Sequence, residues 1–584
     1  MSRYGTSATP DRPEFEVRAG GAAVDPLVQR DVVEIDVAEE VGRHGRATLL
    51  LQNWDPDTRT VRHSDSGPFP PGAEVELLMG YHSTLTSVFA GVVAAVTTHF
   101  PAGGQPVLRV EARSRSILLE HPPRSRQLAD VTDADVVAAV AADYSLTADA
   151  ETGVTRPAVV SDRRSDWDLL TTRAEDLGWV VYVRGTTLVF RPPAEQGSPI
   201  ELEYGLNVTE LHLTQDLTRA VDSVVAAGWD VAALEAIESQ AGPTQTGLST
   251  GDRPDHGAAL SDAAWPLREE RLARSAVTAT DAADALAVGR QRRAALEHLH
   301  GTGAVVGNPA LRCDTWLSIA GVGDRMSGPH YVTAARHRLS ARGYRTEFQV
   351  GSPPALVPRR PSGPDGAAGL RPTRLLTAVV DSLEDPDGLN RVRVRPTWRG
   401  ETGDGVWARL VTLDAGDGYG TVFVPDVGQE VLLGTLDGDD STPVVLGSLF
   451  NGTQKAPVTV SDDANPVRAV VTPEGHTIRL EDGDSSAVTI ETPAGNRLRL
   501  AEKDSEVTLT HGDSGNVITL SDAGIELTAA KGDVVLKASA GKVKLDGTGI
   551  EGKSSGPAKL ESSATFDVTA SATLGLKGAL VNIN

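Results

Sequence analysis

The side chains that could carry chemistry are few, and their spacing does not suit it. His298 and His300 are the closest histidines, at the end of a helical stretch. Two residues apart on a helix they point in different directions, so they do not share a metal ion and read as a solvated helix end. Cys313 is the single cysteine, which leaves neither an internal disulfide nor a thiolate cluster. The sequence holds no G-x-S-x-G, H-E-x-x-H, Walker A or C-x-x-C pattern. Carboxylates gather at Glu401 and Asp404, and again at Asp437, Asp439 and Asp440. A glycosidase needs two carboxylates across a cleft, one with its pKa raised by burial. These pairs sit in Gly-rich polar turns and read as solvated. The "LDGDDS" text lacks the spaced oxygen ligands and closing bidentate Glu of a calcium loop. Trp398, Trp407, Tyr419 and Phe423 could stack on bases or sugars, but their loops are acidic; they read as core and subunit-packing residues. No catalytic, metal-binding or cofactor-binding residue is assigned, and no cofactor is expected.

The elements around these residues belong to several cores, because 584 residues are too many for one. A net charge of −24 opposes nonspecific binding to nucleic acid or anionic membranes. Met1 to Pro13 reads as a flexible terminus without the apolar core of a signal peptide. No apolar run reaches membrane-span length. Synthesis in the cytosol is expected, with any export by a route other than a Sec-type signal. Aromatics are 4% against 59 Gly and 35 Pro, a composition of short strands and turns.

Residues 14–350 read as strands with a few helices. "EVELLMGY" (74–81) and "VLRVEARSRSILLE" (107–120) alternate as strands, and "VFAGVVAAVTTHF" (88–100) does so with a break at Gly91. Thr132 caps one helix; Ser165 caps a second, which Gly178 ends. "WVVYVRGTTLVFRP" is a hairpin turning at Arg184-Gly185. Residues 239–268 read as a polar loop insertion, and a helix is expected from Asp281 to His300. The Pro/Gly-rich stretch 351–371 is a linker. Residues 372–450 hold five short strands, enough for a small barrel of the oligonucleotide/oligosaccharide-binding type. A polar connector, 451–470, follows.

The tail, 471–584, repeats pairs of apolar residues separated by one polar residue. They are Ile478/Leu480, Val488/Ile490, Leu498/Leu500, Val507/Leu509, Ile518/Leu520 and Ile525/Leu527. Val534/Leu536, Val543/Leu545, Phe566/Val568, Leu574/Leu576 and Val581/Ile583 continue the series. Period-two spacing puts both members of a pair on one face of a strand. Two small side chains per rung bury too little to offset ordering about nine residues. The rungs need other strands, and identical copies are the simplest source. Lysines from Lys531 to Lys577 decorate the distal half and read as an outward solvated sheath.

The string "DGLNRVRVRPTW" (387–398) and the run from Trp407 to Gly452 resemble the barrel of VgrG-type spike proteins and phage baseplate assembly protein V. "TPEGHTIRLED" (472–482) and "TPAGNRLRL" (492–500) resemble the start of that family's needle. "DLLTTRAEDLGWVVYVRGTTLVFRP" (168–192) and "GDRMSGPHYVTAARHRLSARGYRTEF" (323–348) resemble the phage hub domain fused ahead of it. The resemblance covers about Glu14 to Asn584. It implies a mainly β chain with minor α: a hub of two β-barrel-like halves (14–120 and 200–350), an OB-fold barrel, and an intertwined trimeric β-helix or prism. It implies a homotrimeric spike of a contractile injection system, with the apolar pairs as the trimer core. The expected partners are an inner tube protein, baseplate and sheath components and a PAAR-type tip. The tip would sit on Leu580, Val581, Asn582, Ile583 and Asn584. Some relatives carry a lysozyme domain after the barrel or an effector after the needle; neither place is filled here, so no enzyme is expected. Two rival readings are a spike with glycan- or peptidoglycan-degrading activity in the 239–268 insertion, and a receptor-binding fibre.

Overall fold

A computed structural model describes residues 12–583, apart from 66, 194–196, 219, 249–268, 275, 353–374, 398–404 and 461–463. The linker 353–371, most of the 239–268 insertion, Trp398, Glu401, Asp404 and Asn584 thus lie outside the described residues. Strands account for 45% of the chain and helices for 11%, which makes it mainly β with minor α. The chain divides into two compact units, 1–454 and 455–584.

The first unit is organised around one long strand, Gly328–Ser340. It pairs with Gly343–Val350, with Thr315–Ala320 and, through partners such as Arg338 with Asp36, with Val32–Glu40. The two strand-rich halves are therefore one continuous 13-stranded sheet. Strict alternation supplies its cores. Ile35, Val37, Leu49, Leu51, Val75, Leu77 and Met79 fill one cluster; Leu317, Ile319, Val332, Phe348 and Val350 fill another. The first strand already begins at Pro13, because Glu14 to Ala19 pair with Val75 to Gly80. Strand Thr84–His99 runs through Gly91 without a break. Glycine is required there for space, since a Cβ would fall 2.1 Å from the Arg113 carbonyl oxygen.

Among the described residues the sheet carries a small α/β layer and four α-helices: α1 (Pro26–Arg30), α2 (Asp133–Asp143), α3 (Asp166–Leu177) and α4 (Thr280–His298). Thr132 caps α2 in a reciprocal box with Asp135, and the Ser165 hydroxyl accepts from the Asp168 N–H. Val136, Val137 and Val140 of α2 pack with Leu170, Ala174 and Leu177 of α3. The hairpin Val180–Arg184/Thr187–Arg191 turns on Gly185-Thr186, one residue later than expected, because Arg184 pairs with Thr187. Residues 235–241, partly assigned to the loop insertion, form a strand paired with Ser223–Asp230. Ile237 and Ala241 bury against α4; two apolar positions in a polar stretch were too weak a pattern to read. Helix α4 stops at His298 because Leu299–Val306 enters the main sheet.

Helices α3 and α4 cross at two glycines. Gly178 ends α3 with φ +62°, and a Cβ on it would lie 2.5 Å from the Gly289 carbonyl oxygen of α4. The Asp314 side chain, only 1% exposed, accepts from Arg191 at 2.5 Å, from Tyr331 at 2.7 Å and from Tyr182 at 2.9 Å. Those bonds tie the hairpin to the main sheet. Beside it, burial pushes the Cys313 thiol up to about 12.

The barrel is closed by strands Leu376–Ser382, Val392–Pro396, Val406–Leu410, Asp439–Ser448 and Glu430–Leu436. Ala378, Val380, Val392, Val394, Ala408, Val431, Leu433 and Val445 fill it. Asp385 pins its first turn. Hydrogen bonds from the Arg391 guanidinium, then from the backbone N–H groups of Arg391 and Asp387, hold its carboxyl well below the usual range. After the barrel, the Asn451 side chain donates to Glu430 at 2.9 Å and that of Gln454 to the Gly428 carbonyl at 2.8 Å. The departing chain is thereby clipped to the barrel end.

Gly178→Ala should destabilise the first unit by roughly 2 kcal/mol or more, through clash and left-handed backbone strain together. Thermal denaturation measures this; an unchanged midpoint contradicts the crossing. The Cys313 thiol should be inert to an aromatic disulfide reagent at neutral pH in the native protein and titrate fully in denaturant; native reactivity contradicts its burial.

Candidate functional site

The second unit carries the surface that most needs a partner. Seven strands from Val467–Val471 to Gly524–Thr528 form an antiparallel meander. Their neighbours are strands of the same chain, where identical copies had been expected. The turns explain this. Thr472-Pro473 with Gly475 and Thr492-Pro493 with Gly495 form the same tight loop, closed by Thr472 N–H to His476 O and Thr492 N–H to Asn496 O, each 2.9 Å. Gly475 and Gly495 have φ +91° and +78°, a conformation that favours glycine.

The register stacks the apolar pairs directly opposite one another. Ile478 faces Ile490, which faces Leu498, then Leu509, Ile518 and Leu527. Leu480 faces Val488, then Leu500, Val507, Leu520 and Ile525. Two unbroken apolar rows therefore lie on one face. Ile478 is 46% exposed, Ile490 46%, Leu509 51% and Ile525 74%, so much of that face is open among the described residues. Covering the open half of each such side chain contributes about 1 kcal/mol. The opposite face carries Arg479, Thr489, Arg499, Thr508, Thr519 and Glu526 in register. Part of this face is covered: Ala487, Ala501 and Thr489 are buried, whereas Lys531 to Lys577 of the distal half are exposed. Thr489 lies between Arg479 and Arg499, whose long stems flank it.

Past Thr528 the described chain has no strands. Val534 lines a groove with Leu509, Ile518 and Leu527, at the end of the apolar face. Val534, Leu536, Val543, Leu545, Phe566, Val568, Leu574 and Leu576 are each more than half exposed. They are not brought together within one chain. Leu580, Val581 and Ile583 are exposed, as is Asn582.

The other candidate residues fall differently from expectation. Tyr419 and Phe423 are not core: both are 71% exposed, beside exposed Val422 and Leu413. Trp407 is half-buried, with the Arg391 and Arg393 guanidinium groups over its ring. His298 is buried rather than solvated, with Nδ1 3.2 Å from the Asp216 carbonyl and Nε2 3.1 Å from the Gln215 side chain. His300 sits on the next strand against the Glu297 carbonyl. Asp440 is buried, and Asp437 and Ser441 accept from backbone of the large sheet's α/β layer, so the acidic turn is a docked element. No group of three or more His, Cys, Asp or Glu able to hold a metal occurs among the described residues. No helix there is long and apolar enough to cross a membrane.

Two family models match. Residues 10–341 match the Alg8 N-terminal domain, and residues 376–450 match the Type VI secretion system/phage-baseplate injector OB domain. The Type VI secretion system spike protein VgrG4b of Pseudomonas aeruginosa is 35% identical over 88 residues, 14% of this chain and 11% of its own. VgrG3 of Vibrio cholerae is 30% identical over 94 residues, 15% of this chain and 9% of its own. The chain thus spans about a tenth of the length of these curated relatives. A chain of the Francisella PdpA–VgrG complex, lidded form, shares the fold with a TM-score of 0.54 at 9% identity, covering 90% of this chain and 81% of that one.

Ile490→Asp, in the middle of the apolar face, should weaken any self-association through that face, while Thr508→Asp, on the opposite face, leaves it intact. Analytical ultracentrifugation reads the difference; equal behaviour of the two variants contradicts the sidedness.

Proposed function

The chain belongs to the Alg8 N-terminal domain family and is a VgrG-type spike protein, and from that premise we propose that three copies form the spike and hub of a contractile injection particle. The observation that carries this reading is the exposed, in-register apolar face from Ile478 to Leu527. A sheet of seven short strands with one dry and one charged face packs best as one side of a closed prism. Three such sheets bury all three apolar faces and leave the Arg/Thr/Glu faces outside. The distal rungs, Val534 to Leu576, then pair between copies. A lone rung gains about 5 kcal/mol from two buried side chains against about 10 kcal/mol or more to order its residues. Only strands from other copies close that gap.

The work of such a spike is mechanical. A prism with every strand edge paired resists buckling, and driving it through a target envelope needs no bond cleavage. The large sheet of the first unit would meet an inner tube protein, with baseplate and sheath components around it. The exposed aromatics Tyr419 and Phe423 would pack between barrels. Leu580, Val581 and Ile583 from three copies would seat a separate tip protein of the PAAR type. Nucleic acid has no place in this account, given the net charge of −24. The protein would be made in the cytosol and reach its target within the particle.

Native mass spectrometry of the full chain tests the assembly. A species of three times 61.3 kDa is expected, and a stable monomer at micromolar concentration overturns the proposal.

A further inference from the structure

The acidic turn of the barrel has a docking partner that its composition conceals. Leu436 pairs with Asp439, so Asp437-Gly438 forms a two-residue hairpin turn. Both have positive φ, +51° and +69°, the geometry that suits Asp-Gly and matches strand twist. The side chains at this tip reach out of the barrel. Asp437 Oδ2 accepts from the Ala276 N–H at 2.9 Å. Ser441 Oγ accepts from the Val160 N–H at 3.0 Å, and Asp440 Oδ2 from the Asp162 N–H at 3.4 Å.

Val160 and Asp162 belong to strand Arg156–Arg164, which pairs on one side only, with Arg124–Val131. Residues two apart present their N–H groups to the same edge. These two amides therefore lie on the free edge of a two-stranded sheet, and Asp440 and Ser441 cover them. An uncovered edge is an open template for another strand. Charge favours the docking. Arg156, Arg163 and Arg164 lie on the strand, and Asp439 attracts the partly buried Arg173, which also holds Asp133. Asp162, buried beside Asp440, is offset by Ser125 and Arg163.

We propose that Asp437, Asp440 and Ser441 form a latch that fixes the barrel on the edge strand of its own chain's hub and carries load between them. The latch does not depend on how many copies assemble, so its failure and that of the trimeric spike are separate outcomes.

Hydrogen exchange with residue resolution on the full chain tests it. The amides of Val160, Asp162 and Ala276 should be protected in the wild type. In the triple variant D437A/D440A/S441A they should exchange roughly tenfold faster or more. Barrel strands 392–396 and 430–436 should keep their protection, which separates a released latch from an unfolded barrel. Free exchange at the three amides in the wild type, or unchanged protection in the variant, overturns the proposal. If the triple variant loses the barrel strands, S441A alone reads the latch: Val160 should exchange faster, and no change there overturns it.

Discussion

The sheet of the second unit depends on a single constraint: antiparallel pairing that puts its repeated apolar pairs on one face. The pairing register puts Ile478, Ile490, Leu498, Leu509, Ile518 and Leu527 in one row, and a one-residue slip would send each to the charged side. That face cannot be left to water at about 1 kcal/mol per half-covered side chain. Thr-Pro-x-Gly turns at 472–475 and 492–495 close two of the sheet's hairpins within one chain. Past Thr528 the apolar pairs persist without strands to meet them. The second unit thus passes from a self-paired sheet to a segment without strands among the described residues.

The first unit is built on the opposite principle. Its sheet, its α/β layer and its barrel each close their own apolar cores. Buried polar groups there join layers: Asp314 gathers Arg191, Tyr182 and Tyr331, and Arg312 holds Glu39. The barrel's first turn is locked by Asp385 and its last by Asn451 and Gln454. Such a body closes its own cores within one chain, whereas the apolar face of the second unit stays open there.

Local signals were legible where they rest on short-range physics. Thr132, Ser165 and Gly178 marked helix ends because capping is decided within four residues. The five barrel strands followed from alternation, and the one-sidedness of the stalk from period-two spacing. Long-range pairing was not legible. Nothing near Gly328–Ser340 shows that it joins both halves into one sheet. The loop around Asp440 looked solvated because composition reports polarity, while burial there comes from a strand nearly 300 residues earlier. Tyr419 and Phe423 read as core and subunit-packing residues; their exposure within one chain sets the core half of that reading aside.

The central claim is that the Ile478–Leu527 face is the dry interior of a threefold prism. A cryo-electron microscopy map of the full-length protein, reconstructed without imposed symmetry, tests it most directly. The account predicts three stalk sheets about one axis, with Ile490 and Leu509 pointing inward and Arg479 and Arg499 outward. A map with those aliphatic side chains facing solvent, or with a symmetry other than threefold, would contradict it.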